Sequence, residues 1–193
     1  MQLPKKPKYT YADYLTWDDG RRYELIDGEV YMMSPAPSVS HQEISGEIFR
    51  QFATLLKGKR CKVFSAPFDV RLNADAEDDT VVQPDILIVC DPDKIKNGKN
   101  CEGAPDMIVE ILSPSSARRD QFDKFNLYLA AGVKEYWIVY PETKMVQVYT
   151  LTEGNYVGRA YSDAHMVTVS VLEDCQINLA DVFLAETEPQ EEK

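Results

Sequence analysis

The sequence predicts an α/β domain with a mixed β-sheet flanked by helices, and three stretches predict it. Met107, Ile108, Val109, Ile111 and Leu112 form the kind of apolar run that makes a strand buried on both faces. After Ser113-Pro114, Phe122, Phe125 and Leu129 recur at helical spacing up to Gly132, and Tyr136 to Val139 form a second apolar run before Pro141. Strand, helix and strand make a βαβ unit, which requires two parallel strands, here 107–112 and 135–140, with a helix at 117–131 crossing over them. In the third stretch, Tyr23 to Met33, the turn pair Asp27-Gly28 sits between two arms that carry apolar residues, the signal of a hairpin with a two-residue primed turn.

The remaining elements follow in order. Residues 1–9 are basic and proline-bearing and read as a flexible N-terminal segment. Thr10 with Asp13 three residues later starts a short helix. Residues 34–37 are a loop. Ser40 and Glu43 have capping-box spacing, and Ile44, Ile48, Phe52, Leu55 and Leu56 give a helix over 40–57 that lays one apolar stripe on the sheet. Lys62 to Leu72 reads as a strand that Pro67 places at an edge or bulge. The acidic run 75–79 reads as a solvated loop. Ile86 to Cys90 is a strand opened by Pro84-Asp85, and 94–104 is a polar loop. Residues 144–151 alternate and predict an antiparallel strand; 156–161 and 166–171 predict two more, and 179–184 a last helical turn. Residues 10–184 form one domain, and 185–193 are an acidic tail.

Composition narrows the function. At 193 residues and 44% hydrophobic content the chain can build a core, and no apolar run approaches the ~20 residues of a membrane span. The cysteines Cys61, Cys90, Cys101 and Cys175 lack C-x-x-C spacing, so they do not read as a zinc site; they read as reduced thiols of a cytoplasmic protein. The net charge of −11 opposes nucleic-acid binding unless basic groups gather on one face.

Two carboxylates carry the chemistry. Glu110 interrupts the apolar 107–112 run, where a charge is costly unless a cation meets it. Asp85 opens another buried strand. If the two strands are neighbours, both carboxylates reach one cavity and, with carbonyl and water oxygens, suit a hard divalent cation. The plainer alternative has Asp85 capping a turn and Glu110 paired with a core Lys or Arg.

Several motifs occur together in a fixed order: Tyr-Glu-Leu-Ile-Asp-Gly-Glu-Val-Tyr at 23–31, Ser-Pro-Ala-Pro followed by His41, Pro84-Asp85, Glu110-Ile-Leu-Ser-Pro-Ser, Asp120 with Lys124, and Gly132-Val-Lys-Glu-Tyr-Trp-Ile-Val. Over roughly residues 10–184 this order resembles the Uma-two family, which is assigned to the restriction-endonuclease-like fold of the PD-(D/E)XK superfamily. The resemblance implies that Asp85 and Glu110 hold Mg²⁺ or Mn²⁺ with the Ile111 carbonyl. It also implies a lysine two positions after the glutamate, where this chain has Leu112. Lys124, i+4 from Asp120 on the next helix, is the substitute, and Lys124→Ala should leave the fold nearly intact. Glu24 can add a third carboxylate or face solvent. His41 can carry a proton or contact phosphate, or be an exposed first-turn histidine. Gln83 is a possible polar neighbour of the site, while Tyr128 and Tyr136 read as packing and Trp137 as core.

The resemblance implies a metal-dependent endonuclease or related phosphodiesterase acting on nucleic acid, DNA in the first instance, as a homodimer. The contrasting expectation is a catalytically inactive module of the same fold that binds DNA or a protein partner; the acidic charge and Leu112 favour it.

Overall fold

The computed structural model describes residues 7–33, 36–74, 76–113 and 119–183. Residues 1–6 of the predicted N-terminal segment, 34–35 of the predicted loop, 75 of the acidic run, 114–118 at the start of the predicted crossover helix, 184 of the last helical turn and the acidic tail, 185–193, lie outside them. Thr10 caps the first helix, α1 (Tyr11–Tyr14), through the reciprocal bonds with Asp13 that the spacing predicted. The hairpin follows as β1 (Tyr23–Ile26) and β2 (Glu29–Met32), with positive φ at both Asp27 and Gly28, as a primed turn requires. Gly28 has a second constraint. The Lys8 side chain approaches so closely that a Cβ at 28 would lie 2.8 Å from it, and the Tyr9 N–H donates to the Gly28 carbonyl.

The long helix α2 runs Val39–Leu55. Its cap is Ser38, whose side chain accepts from the His41 N–H, and not the predicted Ser40. Ser38 keeps the extended backbone an N-cap needs, which moves the helix start forward and leaves His41 in the first turn. Next come β3 (Lys62–Ser65) and β4 (Val70–Arg71). The single strand predicted over 62–72 is divided by a cis Ala66-Pro67 bond, and its halves join different sheets. Then follow β5 (Val81–Val82), β6 (Ile86–Val89), a 3₁₀ turn at Pro92–Ile95, β7 (Cys101–Glu102) and β8 (Met107–Ile111). The acidic run is less solvated than expected: Asp78 pairs with Arg71, and Asp79 is buried.

A π-helical turn, Arg119–Asp123, leads into α3 (Lys124–Ala131), which ends at a left-handed Gly132. The last elements are β9 (Glu135–Tyr140), β10 (Met145–Thr152), β11 (Asn155–Ser162), β12 (Met166–Thr168), β13 (Gln176–Asn178) and α4 (Leu179–Val182). The strand predicted over 166–171 stops at Thr168, because the next segment turns to meet Glu135. The Ser170 and Val171 N–H groups donate to Glu135 Oε2, and the Trp137 indole N–H donates to its Oε1 at 2.6 Å.

Six strands form a mixed sheet in the order β11-β10-β9-β8-β6-β3, in which β8 and β9 are parallel and the other pairs antiparallel. Five form a second sheet, β2-β1-β5-β4-β7. Ile44, Ile48 and Phe52 of α2 pack with Ile86, Ile88, Met107, Val109 and Ile111 on one face of the six-stranded sheet. Leu87, Val89, Ile108, Tyr136 and Ile138 look the other way, toward Tyr128 of α3. Each strand residue's face follows from the two-residue period, so Glu110 shares the α3 face with Ile108.

One expectation about the cysteines is overturned. Cys61 and Cys90 form a disulfide, because the β3–β6 register that pairs Lys62 with Val89 brings 61 opposite 90. Cys101 and Cys175 are free and buried, and burial pushes the Cys101 thiol up to about 12. Among the described residues no helix is long and apolar enough to cross a membrane.

Candidate active site

β6 and β8 put the two predicted carboxylates side by side. Their antiparallel register pairs Ile86 with Val109 and Leu87 with Ile108; one step further it sets Asp85 opposite Glu110. Asp85 is fixed at the strand end, where its Oδ2 accepts from the Ile111 N–H at 2.8 Å and lies 3.2 Å from His41 Nε2. His41 thus reaches the site from the first turn of α2. Its side chain is only 12% exposed and not on the surface, and its buried Nδ1 has no partner among the described residues.

Lys124 lies on the inner side of α3. Its Nζ is 2.8 Å from Glu24 Oε1, 2.9 Å from Glu110 Oε1 and 3.4 Å from Asp120 Oδ1. The π-helical turn and α3 bury Asp120, Lys124 and Tyr128, each four residues from the last; of the predicted stripe, Phe125 packs at the core's edge against Tyr149 and Tyr156, Leu129 is half-buried and Phe122 is 63% exposed. The polar stripe turns inward because two carboxylates from the sheets, Glu24 and Glu110, meet Lys124 there. Glu24 is buried at the centre of β1 and not solvent-facing, and its Oε1 also accepts from the Gln83 N–H at 3.1 Å. Leu112, at the position expected for the superfamily's lysine, packs in the apolar cluster with Tyr128 and Ile138.

Tyr128 does more than the packing assigned to it from sequence: its hydroxyl donates to Glu110 Oε1 at 2.8 Å. The Tyr136 hydroxyl donates to the Asp120 carbonyl at 2.9 Å and fastens the π-helical turn. The signal for both was weak, a tyrosine at i+4 from Lys124 and another in an otherwise apolar strand. Tyr128→Phe keeps the ring and removes one donor from a buried carboxylate. It should cost about 1–3 kcal/mol, read as a lower urea midpoint at unchanged slope.

Electrostatically the site has more acid than base. Burial, the largest influence, tends to neutralise Lys124, but Glu110, Glu24 and Asp120 together hold its pKa well above the usual lysine value. Burial likewise raises Glu110 well above the usual carboxylate range; Lys124 opposes this, and the charges of Asp120, Asp85 and Glu24 add to it. Both directions follow from one ammonium shared among several carboxylates: the ammonium stays charged, and Glu110 tends to keep a proton. Burial lowers the His41 pKa, but the Asp85 hydrogen bond and charge, with the Ile111 carbonyl, more than offset it, so the net shift is upward. The expectation that Lys124→Ala leaves the fold nearly intact does not survive this geometry, since removing a buried ammonium strands its partners.

The donor set suits a divalent cation. Asp85, Glu110 and the Ile111 carbonyl offer hard oxygen atoms on two adjacent strands. Among the described residues, no three histidine, cysteine, aspartate or glutamate side chains close into a ready-made cage. Mg²⁺ does not need one; it commonly binds one or two carboxylates and completes its shell with water and substrate oxygens. Glu135, also fully buried, is a useful contrast. Its oxygens are taken by N–H and O–H donors of Trp137, Ser170 and Val171, so it anchors the chain and offers nothing to a ligand.

The mixed sheet flanked by helices, with Asp85 and Glu110 on two adjacent strands, is a restriction-endonuclease-like α/β fold in which the lysine near the carboxylates comes from the following helix and not from the strand. The chain belongs to the Uma2 family, described as "Putative restriction endonuclease", whose model matches residues 11–180. A crystal structure of a putative nuclease belonging to DUF820 from Anabaena variabilis has the same fold, with TM-score 0.73 and 20% identity, covering 91% of this chain and 98% of that one. The uncharacterized protein slr1290 of Synechocystis sp. is 30% identical over 124 residues, which are 63% of each chain. The uncharacterized protein sll1609 of the same organism is 27% identical over 122 residues, 62% of this chain and 67% of that one. The match to slr1290 therefore spans somewhat less than two thirds of that protein's length.

Proposed function

We propose that the protein is a divalent-cation-dependent nuclease that hydrolyses phosphodiester bonds in nucleic acid, with DNA as its substrate. The reading is supported by Asp85 at the start of β6, its Oδ2 on the N–H of Ile111 next to Glu110, and by the Lys124 ammonium 2.9 Å from the Glu110 carboxylate. Mg²⁺ or Mn²⁺ held by Asp85, Glu110 and the Ile111 carbonyl would polarise the phosphoryl group and make the attacking water more acidic. The chain's own residues do the rest. Lys124 places a fixed positive charge beside the position where negative charge develops on the phosphoryl oxygens. Glu24, Asp120 and Tyr128 hold Lys124 and Glu110 in place. His41, against Asp85, is positioned to relay a proton. Water adds to phosphorus, the P–O bond to the leaving strand breaks, and the leaving oxygen takes up a proton. Two copies acting together would cut both strands of a duplex, and the cytoplasm is where such an enzyme meets DNA.

A second reading is favoured by one observation: the Lys124 charge is already engaged by three carboxylates in a protein of net charge −11. In that reading the fold is a binding module without catalysis. Nicking of supercoiled plasmid separates the two. The nuclease requires cleavage that depends on Mg²⁺ or Mn²⁺ and falls at least about a hundredfold in Glu110→Gln purified in parallel. Equal rates for the two proteins would establish the binding module instead.

A further inference from the structure

We infer that Arg22 is a phosphate-binding residue that grips the nucleic-acid backbone next to the phosphate being cut, oriented for this by Gln83. The inference rests on the nuclease reading and deepens it. The Met33 N–H donates to the Arg22 carbonyl at 2.9 Å, so the β1–β2 ladder extends one pair beyond Tyr23 and Met32. Arg22 therefore projects from the same face of β1 as Glu24, the residue that holds Lys124 at 2.8 Å. Two strand residues separate them by about 6.8 Å. A strand whose reacting phosphate lies at Lys124 presents a neighbouring phosphate to Arg22.

The guanidinium is oriented without being neutralised. Its Nε and Nη2 donate to Gln83 Oε1 at 2.9 and 2.6 Å. Among the described residues no carboxylate lies within ion-pair distance of it, whereas Arg50 pairs with Glu47, and Arg71 with Asp78 and Glu102. Gln83 is itself immobilised. It is buried, its Nε2 donates to the Tyr14 hydroxyl at 2.9 Å and to Asp69 Oδ1 at 2.8 Å, and its backbone N–H donates to Glu24. An amide acceptor fixes the direction of the fork while leaving the full positive charge and the remaining N–H donors for a ligand. Arg22 is exposed, so those donors face outward. The chemistry they suit is a non-bridging phosphate oxygen pair, for which a rigid fork is better matched than an ammonium. A chain of net charge −11 needs such a local cation where a polyanion enters, and Lys124 is engaged by its carboxylates.

The test measures binding of a fluorescein-labelled DNA duplex by anisotropy over a range of KCl concentrations, beside Mg²⁺-dependent cleavage of the same duplex. Arg22→Gln should raise Kd about tenfold or more and reduce the slope of log K against log [KCl] by about one. Arg22→Lys should keep the wild-type slope, because the charge remains, and recover only part of the affinity. In cleavage, Arg22→Gln should raise KM more than it lowers kcat. An affinity and slope in Arg22→Gln equal to those of a wild type that binds and cuts would overturn this assignment and leave the nuclease standing. A loss shared equally by both variants, with unchanged slopes, marks a structural role and overturns it too. A wild type that neither binds nor cuts DNA with Mg²⁺ or Mn²⁺ overturns the nuclease reading, and this one with it.

Discussion

Lys124→Ala should cost the protein both its activity and much of its stability, and the two losses should depend differently on pH. The Nζ lies within 3.4 Å of Glu24, Glu110 and Asp120, all buried. Removing one partner of a buried ion pair costs about 3–5 kcal/mol. For a chain of this length that lowers the melting temperature by roughly 10 °C. The sign with pH follows from Glu110. Its folded pKa is raised, so between the ordinary carboxylate value and the folded value the native state holds a proton that the unfolded chain has released. Stability from this group therefore falls as pH rises through that window. Without the ammonium to oppose the shift, the folded value moves higher and the fall extends to higher pH. The gap between wild type and Lys124→Ala should widen as pH rises above the ordinary carboxylate range, in thermal melts between pH 5 and pH 8. A gap that stays constant or narrows would mean that the carboxylates are not the partners that matter. Activity below the variant's melting temperature should drop about a hundredfold or more. Lys124→Arg separates the two effects. It keeps the charge and hence most of the stability, but a planar fork does not reproduce a compact ammonium, so cleavage should stay low.

The features that could be read from the sequence were those whose cost shows along one segment. A glutamate in the Met107–Ile111 run has to be met by something, and Asp85 at the start of Ile86–Val89 marks a second such point. Asp27-Gly28 announces its own turn. Features set by tertiary register stayed hidden. Cys61 and Cys90 are 29 residues apart with no motif between them, and only the β3–β6 pairing makes them neighbours. The predicted α3 stripe holds at Phe125, which packs on Tyr149 and Tyr156, and fails at Phe122, which looks like core on any helical wheel but is exposed. The burial of Asp120 and Lys124 becomes reasonable only when Glu24 and Glu110 arrive from two different sheets. Arg22 left no local trace, and Gln83 only that of a polar residue two before Asp85, since their bond joins residues 61 positions apart. The cap of α2 failed for a smaller reason: two serines compete for one helix start, and backbone geometry chose Ser38.

Mg²⁺ or Mn²⁺ should raise the melting temperature of the wild type and leave that of Asp85→Asn/Glu110→Gln unchanged. A ligand at a hundred times its Kd that binds only the folded state adds about 2.7 kcal/mol. In a chain of this length that is roughly 5–10 °C. The double substitution is nearly isosteric, so the Lys124 contacts to Glu24 and Asp120 have no steric reason to change. It also removes two members of a cluster in which Asp85, Asp120 and Glu24 all oppose ionisation of Glu110. The metal-free double variant should therefore melt no lower than the metal-free wild type: Lys124 keeps Glu24 and Asp120 when Glu110 loses its acidity, and the bonds from the Ile111 N–H and Tyr128 hydroxyl pass to amide oxygens. Adding the cation should reverse the order, because in the wild type it neutralises the repulsion that the variant has already relieved. Equal stabilisation of both proteins would show a general salt effect, and stabilisation of neither would show that the opposed carboxylates do not hold a cation. Only a wild type that starts level with or below the variant and ends above it fits a cation seated between Asp85 and Glu110.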